Sequence, residues 1–359
     1  MSDIAGRRLR AQRLTGDRFA SAADAVRWFG AVQAQDYGGA KWAVGQRVTA
    51  STDAALDEAV DSGAILRTHV MRPTWHFVAR EDARWLVALT GARLRQWVAG
   101  RWRTLELDAV TVSRAVDLIA AALEGGRALT RAEVGVLLSR EGIRPDGQRL
   151  PHLLMAAEAD GAVISGPRQG RQPTWARLDE RVPDRRGLDR ESAVAELARR
   201  YFRGHGPAQA RDFAWWSGLT QRDARGGIDA IRAELLAEVI EGQEYFSDAG
   251  AAPAPEAAAI AHLLPNFDEY TVGYRDREAA LHPDHPFDPS VFAFGSILTN
   301  VVLVGGRVRG AWRRTSARGS LTIEVTALGR LRRPERVALE SAAQELSAFQ
   351  GLPVKLLFA

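Results

Sequence analysis

One supersecondary pattern occurs three times along this 359-residue chain and constrains its fold more than any other feature. Each copy has an amphipathic helical stretch that begins at a small or turn-forming residue, then another helix-capable run and strand-like residues. The first two copies also carry a turn signal within the strand-like run. The helical stretches are residues 22–35, 129–140 and 207–219, preceded by helical segments at 3–14, 113–124 and 191–203. The strand-like runs are residues 65–78, 162–178 and 235–246. Helices followed by a hairpin are the order of a winged helix, so the repeat predicts three tandem winged-helix units.

The pattern changes to strands after an Ala/Pro-rich spacer at residues 249–259. Strand-like runs at 301–304, 308–312 and 321–325, with a turn at Gly305-Gly306, predict a small antiparallel sheet or barrel. A helix at 335–349 and a strand at 354–358 close the chain, and a charged linker occupies 179–189. We therefore predict an α+β fold: winged-helix units at 1–105, 106–185 and 186–250, and a β-rich, barrel-like domain at 251–359.

Missing residue types and motifs exclude several classes of site. The chain has no cysteine, which rules out disulfides, zinc–thiolate sites, iron–sulfur clusters and cysteine nucleophiles. It has no HExxH pattern, no Walker-type loop and no GxGxxG turn, so we expect no metal and no cofactor. No run of about 18 apolar residues occurs, and the first residues are polar and basic. We expect a monomeric cytoplasmic protein without a membrane partner.

Basic residues are concentrated in stretches without acids, although the formal net charge is only +4. Such segregation is typical of a basic face for a polyanion, and scattered solvated arginines explain it equally well. The residues predicted to bind DNA are Lys41, Arg67, His69, Arg72, His76, Arg168, Arg171, Arg313 and Arg314. For His69 and His76 a role in the core is an equally good interpretation.

Four strings of the sequence together resemble the AlkZ-like family of DNA glycosylases, which includes the YcaQ-type bacterial enzymes. They are GAVQAQD at 30–36, RPTWHFV at 72–78, LLPNFDEYTVGYRDR at 263–277 and GRVRGAWRR at 306–314. The resemblance implies winged helices in a C-shaped cradle for double-stranded DNA and excision of bulky or cross-linking N7-alkylated purines. Several members of the family protect an antibiotic producer from its own product. The family's Gln–apolar–Gln signature is matched here, so Gln33 and Gln35 are the predicted catalytic residues.

Two glutamines suit this chemistry because an N7-alkylated guanine already carries positive charge and leaves without a general acid. Its departure builds an oxocarbenium-like charge on the sugar, as in glycoside hydrolysis. A glutamine amide can orient the attacking water through its carbonyl and contact a phosphate through its NH₂ group. Residues two apart share a face of an extended segment but not of a helix, so the pair requires extended backbone. Without the family resemblance, capping of the preceding helix is the better interpretation of both residues.

The neighbouring residues have simpler interpretations. Asp36 is expected to cap the following helix rather than stabilise the sugar cation. Lys41 is the only lysine near the motif, but a phosphate contact or a solvated position is a better interpretation than a Schiff-base nucleophile. We therefore expect a monofunctional hydrolase that leaves an abasic site. The adjacent acids Asp268 and Glu269 are expected to be structural. Two other functions stay open: a winged-helix transcriptional regulator without catalysis, and a protein that sequesters an alkylating drug.

Overall fold

A computed structural model describes residues 4–184, 187–251, 260–317 and 319–359. The predicted spacer at 249–259 lies mostly outside these residues, as do two positions of the charged linker at 179–189. The described chain begins with a short helix, α1 (Ile4–Ala11), which packs against a long helix of the third unit. Its last carbonyl, of Ala11, accepts from Nε1 of Trp28 in the first unit at 2.9 Å.

The first unit has the order helix, strand, helix, helix, hairpin. Its elements are α2 (Ala22–Phe29), β1 (Val32–Gln33), α3 (Tyr37–Gly45), α4 (Asp53–Asp61), β2 (Ile65–His69) and β3 (Trp75–Ala79). The strands form one antiparallel sheet in the order β1-β3-β2, in which Gln33 lies opposite His76. The long helix α5 (Ala83–Thr104) follows and leads to the second unit.

The same order of elements occurs twice more, as the repeat predicts. The second unit contains α6 (Ala109–Ala122), β4 (Leu129–Thr130), α7 (Arg131–Arg140), α8 (Arg149–Ala159), β5 (Val163–Ser165) and β6 (Thr174–Arg177), followed by α9 (Leu178–Arg181). The third contains α10 (Arg190–His205), α11 (Ala210–Ser217), α12 (Gln221–Ala230), β7 (Leu235–Ile240) and β8 (Gln243–Asp248). The second sheet has the order β4-β6-β5, and in the third an Ala208–Phe246 bridge takes the place of the first strand.

The first copy of the repeat begins at a different helix from the one expected. Residues 22–29 form α2, which precedes the first strand and so corresponds to α6 and α10. The expected counterpart of α7 and α11 is instead α3. The helical prediction for 30–35 is wrong because Gly30 ends α2 with a φ of 81° and β1 then pairs with β3.

The C-terminal part is built on one five-stranded sheet. Its elements are β9 (Ala261–Leu264), α13 (Glu269–Val272), β10 (Val301–Val304), β11 (Arg307–Ala317), β12 (Ser320–Ala327), α14 (Arg333–Gln350) and β13 (Val354–Phe358). The predicted strands, turn and closing helix are confirmed, whereas β9 was missed. The order is β9-β10-β11-β12-β13, and only β12 and β13 are parallel. Among the described residues β9 and β13 do not pair, so the sheet is open and the expected barrel is wrong.

The hydrophobic cores cross the boundaries predicted between the units. One core packs Val32 and Phe77 of the first sheet with Trp312 of the C-terminal sheet. A second core joins Leu86 of α5 to Tyr201 of α10 and Trp216 of α11. Burial of such large side chains is the main favourable term in folding, so β1 is fixed by its neighbours on several elements. No helix of the described chain is both long and apolar enough to cross a bilayer.

Candidate functional site

Gln33, the last residue of β1, lies in the wall of a pocket of about 680 Å³. Its backbone N–H donates to Oε1 of Glu269 at 2.9 Å, and its side-chain Oε1 accepts from Nη2 of Arg72 at 3.0 Å. Only 6% of the residue is exposed. Since one contact holds the backbone and the other holds the amide, Gln33 is oriented before any ligand arrives.

The rest of the pocket wall is basic and aromatic. It comes from α5, from α11 and the segment after it, from the β2–β3 turn, from the loop after β9, from α13 and from the segment between α13 and β10. Its charged residues are Arg72, Arg93, Arg211 and Arg275, and its large aromatic residues are Trp97, Trp215 and Phe267. Phe267 has a φ of 61°, a backbone conformation that is costly for a bulky side chain and is found mainly where function requires it. The wall therefore suits an anionic ligand that carries a planar group.

Gln35 is close in sequence but has different surroundings from Gln33. It is exposed, it does not line the pocket, and its Oε1 accepts from the backbone N–H of Trp75 at 3.3 Å. Between the two glutamines, Ala34 donates its N–H to the carbonyl of Trp75 at 2.7 Å. The strand ends at Gln33, and the two amides do not share one site: Gln33 lines the pocket and Gln35 does not. The helix-capping interpretation of the pair is wrong because α2 ends at Phe29.

Arg67 holds the centre of the motif. Its Nε and Nη2 donate to the carbonyl of Ala34 at 3.1 and 2.9 Å, and its guanidinium lies 4.4 Å from the centroid of the Trp75 ring. Burial lowers the pKa of Arg67 to about 10, which still leaves it charged at neutral pH. Two of its donors bind the carbonyl between Gln33 and Gln35, so Arg67 has an internal role, and its contact with DNA stays a prediction.

Asp36 caps α3, as expected. Its Oδ1 accepts from the backbone N–H of Gly39 at 3.0 Å, and its Oδ2 accepts from Nδ2 of Asn266 at 3.2 Å. A Cβ at position 39 would lie 2.8 Å from Oδ2 of Asp36, so this close approach requires glycine. The cap fixes the segment 34–36 at its far end.

Glu269 is a structural acid, as expected, and it holds the backbone of Gln33. It is 1% exposed, and besides Gln33 its carboxylate contacts Nε2 of His205 at 3.0 Å and Nε1 of Trp216 at 2.8 Å. Burial raises the pKa of Glu269, but these hydrogen bonds outweigh burial and hold that pKa below its ordinary value. The neighbouring Asp268 is structural, as expected, in a bidentate ion pair with Arg47.

The two histidines predicted to bind DNA are buried instead. His69 is 5% exposed, and its Nδ1 and backbone N–H contact Oε2 of Glu158 at 2.5 and 3.0 Å. His76 is fully buried, and burial together with the nearby Arg72 holds its pKa well below the ordinary value. Neither ring has the surface that a phosphate contact needs, so these two predictions are corrected and the core interpretation is confirmed.

Two of the predicted DNA-binding cations are neutralised within the protein. Lys41 is 6% exposed, and its Nζ lies 2.6 Å from Asp53 and 2.9 Å from Asp57. Arg168 pairs with Asp57 at 2.9 Å and with Asp61 at 2.7 Å. Their predicted phosphate contacts are corrected for this reason, because each donor group already has carboxylate partners.

The remaining arginines are better placed for a ligand. Arg171, Arg313 and Arg314 are exposed, and Arg313 pairs with Glu324 at 2.8 Å. Arg314 approaches the motif, since its Nη2 lies 3.2 Å from the position of a Cβ at Gly38. Arg72 borders the pocket and contacts Gln33. No group of three or more potential metal ligands converges within the four described ranges.

Together these features define an α+β protein with three repeated helix-and-hairpin units and a preorganised amide in a basic, aromatic pocket. The family model described as "DNA glycosylase AlkZ-like" matches residues 26–349, and the chain therefore belongs to the AlkZ-like DNA glycosylase family, whose members hydrolyse N-glycosidic bonds.

A sequence match and a structure match, both to Streptomyces sahachiroi, extend this result. The chain is 26% identical over 318 residues to an "Interstrand DNA cross-link repair glycosylase", a match that covers 81% of this chain and 82% of that one. The solved structure of the DNA glycosylase AlkZ matches with a TM-score of 0.78 at 22% identity, over 99% of this chain and 98% of that one. At this identity the structural match establishes the fold, and the resemblance inferred from the four sequence strings is confirmed.

Proposed function

We propose that this chain is a monofunctional glycosylase that hydrolyses the N-glycosidic bond of N7-alkylated purines in double-stranded DNA, with Gln33 as the principal catalytic residue. The observation that carries the proposal is the geometry of Gln33 in the wall of an open pocket: its nearly buried side-chain amide is held by Arg72, and its backbone N–H is held by Glu269. The relative's name extends the proposed substrates to interstrand cross-links. Bulky adducts and a role in resistance to a DNA-alkylating natural product are part of the same proposal.

The proposed reaction needs orientation and dipoles rather than acid catalysis. As the C1′–N bond breaks, its electron pair neutralises the cationic base, and the sugar gains oxocarbenium character. Water attacks C1′ and releases a proton to solvent. The carbonyl of Gln33 accepts one hydrogen bond from Arg72, which leaves a second lone pair for this water. Gln35, which is exposed, is assigned a contact with the water or a neighbouring phosphate through its NH₂ group.

An abasic site is the proposed product. A lyase reaction needs a free amine, and Lys41 is held by two carboxylates and nearly buried. The three helix-and-hairpin units are proposed to act as winged helices that form a C-shaped cradle and hold the phosphate backbone. Arg171, Arg313 and Arg314 are the exposed contacts in this proposal. The predicted domain boundaries, monomeric state and cytoplasmic location belong to the same proposal.

The test is release of a free base from a duplex that carries one 7-methylguanine or an N7 cross-link, followed by chromatography. Wild type should release the base and leave an alkali-sensitive abasic site. The double variant Gln33→Ala/Gln35→Ala should bind the duplex and release none. Unchanged release by the double variant would remove the site assignment. Sequence-specific binding to undamaged DNA without release from any lesion would favour the transcriptional regulator.

A further inference from the structure

Two exposed indoles face the same pocket as Gln33. The chain has ten tryptophans, all of them described, and only Trp97 and Trp215 are among its exposed large hydrophobic residues, each at 42%. Both line the pocket, one from α5 and the other from α11. Exposed indoles are costly, since a large apolar surface stays in water, and two of them in one concave wall indicate a ligand that covers them.

We propose that Trp215, with Trp97 on the same pocket wall, is the surface on which the damaged purine base stacks while its sugar faces Gln33. The ligand class is a planar nucleobase attached to DNA, and Trp215 and Trp97 are specificity-determining residues for it. This inference rests on the proposed glycosylase function and deepens it, because it assigns a place to the base that leaves.

Contacts behind the indoles connect the stacking surface to the catalytic amide. The Arg72 guanidinium lies 5.6 Å from the centroid of the Trp215 ring and donates to Gln33. Arg93 lies 5.1 Å from the centroid of the Trp97 ring and donates through Nε to the carbonyl of Gly218 at 2.5 Å. Arg72 therefore links Trp215, on which the base stacks, to the side-chain amide of Gln33, which orients the water.

The chemistry of the wall favours a base attached to DNA over other occupants. An indole face stacks on any nucleobase, because every base has a π face. Arg275 borders the same pocket and is exposed, which suits a phosphate beside the nucleotide. Arg211 also borders the pocket and is paired with Asp276 at 2.8 Å. Phe267 adds a third aromatic edge and is held there in a strained backbone conformation. An apolar protein segment would gain nothing from the arginines.

Two measurements test the proposal, and the probe in the first is free 7-methylguanine. Its dissociation constant is determined by calorimetry for wild type, Trp215→Ala, Trp215→Phe and Trp97→Ala. The matched control is Val239→Ala, a residue that is 74% exposed on the third hairpin and away from the pocket. Loss of one stacking partner should weaken binding of the base about 10-fold to 100-fold in Trp215→Ala. Trp215→Phe, which keeps an aromatic face, should stay within a few-fold of wild type, and the control should be unchanged.

The second measurement is single-turnover release of the base from a duplex with one 7-methylguanine. Trp215→Ala should slow release by a similar factor, whereas its affinity for undamaged duplex stays that of wild type. Equal affinities of wild type and Trp215→Ala for the free base, or no binding by wild type, would overturn the inference. Failure of the proposed function has a different signature, which is absence of release by wild type, and the base-binding measurement still decides the stacking site in that case.

Discussion

The first and second units place different residues at the same point of the same topology. Gln33 and Thr130 each end the first strand of a unit, opposite His76 and Thr174 in the third strand. In the second unit Thr130 is itself the cap of the next helix, and its backbone N–H donates to Glu133, three residues away, at 2.7 Å. In the first unit the equivalent N–H of Gln33 donates to Glu269, 236 residues away.

The difference between the two units arises from three additional residues, 34–36, between the first strand and the next helix of the first unit. In the first unit the cap is Asp36, so residues 34–36 separate the strand from its helix and Gln33 is released from capping. The third unit behaves like the second, since Gln209 precedes α11 directly and its N–H donates to Asp212 at 3.0 Å. In the second and third units a local capping box connects the start of the helix to the residue before it. In the first unit the corresponding position, Gln33, is held by the long-range contact with Glu269 and faces the pocket. We infer that this insertion turns a structural position into a catalytic one.

The largest expected effect comes from removing the long-range acceptor. Glu269→Ala leaves the buried donors of Gln33, His205 and Trp216 without a partner and should cost about 3–5 kcal/mol in the free energy of unfolding. Glu133→Ala, the change at the equivalent local acceptor, should cost far less because Glu133 is exposed. Urea denaturation of both variants makes the comparison, and equal losses would contradict the distinction between the two junctions.

The same residue gives a dependence on pH. The pKa of Glu269 lies below its ordinary value of 4.5, so its stabilising contribution is present above that pH and is lost as the pH falls through the lowered pKa. The free energy of unfolding of wild type should therefore fall in acid more steeply than that of Glu269→Gln. Parallel profiles of the two proteins below pH 4.5 would contradict this assignment.

A smaller effect is expected at the contact that orients the amide. Arg72→Lys keeps the positive charge but loses the guanidinium geometry that reaches Gln33 and lies against Trp215. We expect a loss of about 10-fold in the single-turnover rate of base release, in line with one charge-assisted hydrogen bond. Affinity for undamaged duplex should change little. A rate equal to that of wild type would show that Gln33 is held without Arg72.

Variants at the two helix caps, Asp36 and Thr130, distinguish an effect on stability from an effect on activity. Asp36→Ala and Thr130→Ala each remove an N-cap and should each cost about 1 kcal/mol in the free energy of unfolding. Only Asp36→Ala should also slow base release, because Asp36 fixes the segment 34–36 through Asn266 as well. Thermal denaturation and base release, measured on the same samples, distinguish the two roles. Equal rates in both variants would show that the inserted segment needs no anchor at Asp36.

The smallest expected effect distinguishes two arginines in the loop between β5 and β6 of the second unit. Arg171 is exposed, whereas Arg168 is held by Asp57 and Asp61. Arg171→Ala should lower the slope of log affinity against log salt concentration by about 1, as expected for one lost phosphate contact. Arg168→Ala should leave this slope unchanged. Titrations of duplex DNA at several salt concentrations make the measurement, and the opposite result would reverse the two assignments.

Local patterns predicted much of the fold. The hairpins of all three units, the strands at 301–304 and 354–358 and the cap at Asp36 follow from alternation, turn glycines and capping chemistry, which act within a few residues. The extended conformation of Gln33 was also predicted, although from the requirement of the chemistry. The helix assigned to 22–35 was too long because the pairing of β1 with β3 depends on residues more than 40 positions away.

The parts of the site that sequence patterns did not reveal depend on tertiary contacts. Glu269 meets Gln33 across 236 residues, and Trp97 and Trp215 come from helices of different units. Burial of His69, His76 and Lys41 likewise depends on partners distant in sequence or on packing around them. The sequence therefore shows that the chain is basic, but it does not show which cations pair with carboxylates inside the protein and which are left to bind a ligand.

The most direct test of the account compares Gln33→Ala with Thr130→Ala, the same topological position in two units. The measurement is the single-turnover rate of base release from a duplex with one 7-methylguanine, at saturating enzyme. The account predicts a loss of about 10²-fold to 10³-fold in Gln33→Ala, typical of removing one preorganised group, and the wild-type rate in Thr130→Ala. Equal rates in the two variants would contradict it.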